Sequence, residues 1–113
     1  MFARIARFEG GSPEIIGREV DRLRRDIDAA KSGAPVDPSV TALSNVVDRV
    51  LMLVDRNGGA STMIVFCDTE DKLVEADRIL DSMSPETGQG KRVSRELCEV
   101  AVDTPLGTAR RAA

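Results

Sequence analysis

The sequence predicts an α+β fold in which two helices cover one face of a four-stranded antiparallel sheet. Three observations carry this. The periodicities along the chain run strand, helix, strand, strand, helix, strand. The segment Asn57-Gly58-Gly59 separates two apolar runs and reads as a hairpin turn, with Asn and Gly accepting positive φ. The length of 113 residues gives room for one domain. Such a domain buries roughly two thirds of its unfolded surface and needs no metal or disulfide staple. The domain is expected over residues 1–104, with residues 105–113 as a disordered tail.

Phe2 to Phe8 alternate as a first strand, with Ala3, Ile5 and Arg7 on one face, and Gly10-Gly11 end it. Ser12-Pro13-Glu14 is a helix start: an N-cap serine, a proline preset for the first position and an acid near the positive helix end. From Pro13 to about Lys31, the residues Ile15, Ile16, Val20, Leu23, Ile27 and Ala30 recur at helical spacing as one stripe. The opposite face mixes Arg18, Glu19, Asp21, Arg22, Arg25, Asp26 and Asp28, and reads as solvated. Glu14–Arg18 and Asp21–Arg25 are spaced to pair along it. Gly33 stops the helix. A linker with two prolines follows, and Asp37-Pro38 caps a short turn through Leu43.

Strands are expected from Val46 to Arg56 and from Ala60 to Cys67. Asp68 or Thr69 then caps a helix to about Met83, with Leu73, Ala76, Ile79, Leu80 and Met83 as its stripe. Ser84 to Gly90 reads as a loop, and Lys91 to Asp103 as the last strand. This order is the split βαβ, ferredoxin-like arrangement.

A strand with one wet face alternates apolar and polar residues. Val50-Leu51-Met52-Leu53-Val54 and Met63-Ile64-Val65-Phe66-Cys67 do not. Both faces of the hairpin therefore want cover, and two helices supply one. Leaving large side chains exposed forfeits about 1.5–3 kcal/mol each. The expected partner is a second copy of the chain, as a homodimer packed sheet face to sheet face.

Composition narrows the chemistry. The chain has no His, Trp or Tyr. Imidazole metal ligands, Ser-His-Asp triads and Cys-His dyads are excluded. No metal and no cofactor are expected. A net charge of −3 argues against nucleic acid. No apolar run exceeds five residues, as in Val50–Val54, and the first residues lack a signal peptide's apolar core; a cytoplasmic protein with no membrane partner is expected. Cys67 and Cys98 belong to no CxxC pair and read as free thiols. Glu70 with Asp71, and Asp77 with Asp81, are carboxylate pairs by spacing, better explained by helix stabilisation and solubility. Gly88-Gln89-Gly90-Lys91 lacks the features of a phosphate loop.

Three segments carry a family resemblance: Met1-Phe2-Ala3-Arg4-Ile5 with Glu9-Gly10, Leu51-Met52-Leu53-Val54-Asp55-Arg56, and Glu99-Val100-Ala101-Val102. They resemble the antibiotic-biosynthesis-monooxygenase-like group of dimeric α+β barrel proteins, over most of residues 1–103. The resemblance implies a dimer whose two sheets form a barrel with the helices outside. It also implies a small aromatic substrate or haem between helices and sheet in active members. Family enzymes use Trp, Asn, His or Tyr in that cleft. Here Cys67 stands where Trp is common, Ala3 stands where haem-degrading members carry Asn, and no His can ligate haem.

The expected function is therefore binding of a small hydrophobic ligand without catalysis. The alternative is a cofactor-independent monooxygenase or isomerase acting on a small aromatic or polyketide-like molecule. The candidate cleft-lining residues are Arg7, Met63 and Cys67: Arg7 to steady an enolate or carboxylate, Met63 and Cys67 to shape the wall.

Overall fold

The computed structural model describes residues 1–83 and 90–107. Residues 84–89, most of the expected loop Ser84 to Gly90, and residues 108–113, most of the expected tail, lie outside the described residues. The element order is β1 (Phe2–Glu9), α1 (Pro13–Ser32), α2 (Pro38–Ser44), β2 (Arg49–Asp55), β3 (Ala60–Cys67), α3 (Glu70–Ser82) and β4 (Lys91–Glu99). The strands form one open antiparallel sheet in the order β2-β3-β1-β4. The result is a small α+β fold compatible with a ferredoxin-like arrangement, with the short α2 as a third helix.

Local chemistry sets the helix ends. The Ser12 hydroxyl accepts from the Ile15 N–H, and Pro13 opens α1. Gly33, at φ 77°, ends it in the left-handed region. Asp37 caps α2, and Thr69 caps α3 by accepting from the Lys72 N–H.

Three details differ from the sequence expectation. Strand β2 starts at Arg49 rather than Val46, because the Val46 and Val47 N–H groups close onto Leu43 O at 3.0 and 2.8 Å and extend the end of α2. Strand β4 stops at Glu99 rather than Asp103, because its partner β1 runs out: Phe2 faces Glu99, and one last bond joins the Val100 N–H to Met1 O. In the hairpin turn only Gly59 takes positive φ; Asn57 does not, and Asp55 Oδ1 accepts from the Gly58 N–H at 3.0 Å. A side chain at Gly59 would collide with Gly11 O, whose own N–H already bonds Gly59 O.

Residues paired across an antiparallel ladder share a face, and successive residues alternate. The register therefore sorts the sheet into two faces. Val50, Met52, Met63, Val65, Cys67, Phe2 and Arg4 lie on one; Leu51, Leu53, Ile64, Phe66, Ala3, Ile5 and Arg7 lie on the other. The helices take the first face. Val65, Cys67, Leu73 and Ala76 form the buried core there, with Leu43, Val46, Val47 and Leu80 packed against it. No described helix covers the second face, where Leu53 is 51% exposed.

The long helix also corrects two sequence readings. Glu19, placed on the solvated face, is buried, and Arg22 reaches it at 3.5 Å. Neither Glu14–Arg18 nor Asp21–Arg25 closes to ion-pair distance. Exposed helical pairs of this kind are worth only ~0.3–0.5 kcal/mol, so little is lost by leaving them open.

Candidate functional site

An apolar cleft lies between α1 and the edge strand β2. Its volume is about 280 Å³. One wall is the outer part of the α1 stripe, Val20, Leu23 and Ile27; the other is the helix-facing side of β2, Val50, Met52 and Val54. These two sets meet because a helical repeat of three and four faces a strand repeat of two. Two arginines, Arg24 and Arg56, complete the lining. Arg56 follows the last residue of β2 and reaches back to α1, where a Cβ on Gly17 would stand 3.2 Å from its Nη1. Among the described residues neither arginine has an ion pair or hydrogen bond.

A larger groove of about 400 Å³ lies between α1, α2 and the end of α3. Three of its polar groups are already committed to the fold, while Asp26 and the Ser39 hydroxyl have no partner among the described residues. Asp37 caps α2 through the Ser39 N–H at 2.8 Å, the Ser82 hydroxyl donates to Ile79 O at 2.6 Å, and Arg22 holds Glu19. What those three can offer a ligand is correspondingly small.

The three residues singled out from the sequence do not converge. Arg7 pairs with Thr62 on the uncovered face, whereas Met63 and Cys67 share the helix face. None of them lines the α1–β2 cleft. The Arg7 guanidinium bonds Glu9 at 3.0 Å and the Thr62 hydroxyl at 3.4 Å. Met63 stands beside Met52, which does line the cleft. Cys67 is fully buried in the core. Burial pushes its thiol pKa up, and the negative charges of Asp48 and Asp68 add to this. A thiol so placed stays protonated at neutral pH and acts as a small apolar side chain.

The two Asp residues paired by spacing are both occupied. Asp77 accepts from Arg4 Nε at 2.7 Å and lies 3.4 Å from Arg95. Asp81 accepts from Arg92 at 2.7 Å and lies 3.5 Å from Arg95. This ladder ties α3 to β1 and β4. The Arg92 bond holds the Asp81 carboxyl below its ordinary pKa, helped by the charges of Arg92, Arg95 and Arg4. Its signal in the sequence is Arg4, a charge inside an apolar strand on the helix-facing register.

Among the described residues no cluster of His, Cys, Asp or Glu could hold a metal ion, and no helix is long and apolar enough to cross a membrane. No protein-family model, curated protein or solved structure matches the chain.

Proposed function

We propose that this chain is a binding protein of the dimeric α+β barrel kind, holding a small hydrophobic ligand in the α1–β2 cleft without transforming it. The observation that carries the reading is the cleft wall. Its volume of about 280 Å³ falls just below the ~300–1,000 Å³ typical of small-molecule sites. Apart from the two arginines, its lining is hydrocarbon and one thioether. The competing reading, a cofactor-independent oxygenase or isomerase, calls for a base within hydrogen-bond reach of the substrate. Among the described residues the cleft lining presents no carboxylate, thiol or hydroxyl, which favours binding.

The dimer is the second half of the proposal. The uncovered face centres on Ile5, Leu51, Leu53 and Ile64, with Arg49 at the β2 margin and Glu96 at the β4 margin. A two-fold axis along the strands lays the β2 edge of one copy over the β4 edge of the other. Opposite charges then meet around a shared apolar centre.

A thermal-shift screen with small aromatic and polyketide-like compounds tests the ligand. A compound that binds the native state raises the melting temperature, and Val20→Phe, which fills the cleft, abolishes the rise. A rise that survives Val20→Phe places the ligand elsewhere and overturns the assignment. Sedimentation velocity tests the dimer, which should run at twice the protomer mass of 12.2 kDa. A monomer at micromolar concentration overturns it.

A further inference from the structure

We infer that the ligand of the α1–β2 cleft is an anion: a small carboxylate whose apolar tail lies against Val20, Val50 and Met52 and whose head meets Arg24 and Arg56. The inference rests on the binding reading above and names the ligand class of that same cleft.

Its first support is the sign of the lining. The chain carries a net charge of −3, yet among the described residues the charged groups lining the cleft are two cations and no acid. Its second support is that these cations are unspent. Several other arginines are engaged: Arg4 and Arg95 with Asp77, Arg92 with Asp81, and Arg78 with Glu75. Arg49 lies over the Phe66 ring, 5.2 Å from its centre. Among the described residues Arg24 and Arg56 have no such partner, while Arg18 and Arg25, also without one there, stand away from the cleft.

The third support is local. Gly17 sits inside the long helix, where any residue but proline would be a better helix former. Its missing side chain is what lets the Arg56 guanidinium lie close over α1 at the end of the cleft. Both arginines are exposed, so their donors are open to a ligand, and a charge-assisted bond to an anionic head is roughly twice as strong as a neutral one. A carboxylate matches the planar guanidinium fork, and the hydrocarbon walls demand a tail.

The test uses the full chain, isotope-labelled at its methyl groups, titrated with octanoate, octanol and acetate. Octanoate should move the Val20, Val50, Met52 and Val54 methyl signals to saturation. Octanol should bind at least tenfold more weakly, and acetate should give no saturable shift. Arg24→Gln and Arg56→Gln should each weaken octanoate at least fivefold and leave octanol unchanged, with melting temperatures near that of the parent chain. Octanol binding as tightly as octanoate, or octanoate indifferent to both substitutions, overturns the anionic ligand while the binding reading stands. Failure of both octanoate and octanol to move the cleft methyls overturns the two together.

Discussion

At the residue scale, Arg4 shows how one side chain departs from the simplest reading of its segment. It lies inside an apolar strand, its side chain is 5% exposed, and its charge is balanced by Asp77 from a helix 73 residues away. A buried ion pair is weak evidence for net stability, but removing one partner strands the other. Asp77→Ala should therefore lower the unfolding free energy by about 3 kcal/mol, read by urea denaturation, because the guanidinium loses its nearest acceptor. Arg4→Met should cost less, since it removes the buried charge and keeps most of the packing volume. If Arg4→Met proves the costlier change, the pair contributes more than the burial argument allows. Cys67 makes the complementary point. Its thiol pKa is raised by burial above the ordinary 9.0, so its stabilising share is complete below that pH and is lost as pH rises through the folded value.

At the element scale, α1 carries an interruption that its apolar stripe does not explain. Gly17 costs roughly 1 kcal/mol against alanine inside a helix. Gly17→Ala should raise stability by about 0.5–1 kcal/mol in thermal or urea unfolding, because the near neighbour is the movable end of Arg56 rather than backbone. A loss of stability would show that the Arg56 guanidinium cannot yield. The α3–β4 join has its own signature. Asp81 has a folded pKa held below its ordinary 3.8 by Arg92, so this contribution is present above that pH and fades as pH falls through the folded value. The parent and Arg92→Gln melting curves should differ at neutral pH and converge in acid. The gap should be small, since both side chains are well exposed, at 40% and 45%. A gap that persists unchanged in strong acid would mean that Arg92 acts through packing.

At the scale of the whole molecule, the sheet presents two apolar faces and the described helices occupy one. The proposed dimer makes a prediction with two readouts. Leu53→Glu, on the uncovered face, should shift the sedimenting species to the protomer without unfolding it. The same change should speed alkylation of Cys98, which shares that face through its pairing with Ala3 and is partly exposed in the single chain. Cys67 should stay unmodified in both forms, being enclosed by the protomer's own core. Equal Cys98 reactivity in parent and variant would leave the face uncovered in solution.

The fold was largely legible in the sequence because its signals are local. Ser12-Pro13, Gly33, Thr69 and the Gly59 turn act on their own backbone, and the two periods separate helix from strand without reference to partners. The candidate site was not. Alternation sorts Arg7, Met63 and Cys67 only within their own strands, and which residues share a face depends on the register between strands. That register puts Arg7 opposite Thr62 and leaves the other two behind it. The α1–β2 cleft depends on how far a helix stands from an edge strand, and the Arg4–Asp77 pair on which turn of α3 passes over β1. The sequence by itself determined the elements, the doubly apolar hairpin and the absence of imidazole chemistry. Only the tertiary structure decided which side chains meet, because strand register and helix placement are set by long-range packing that no local spacing encodes.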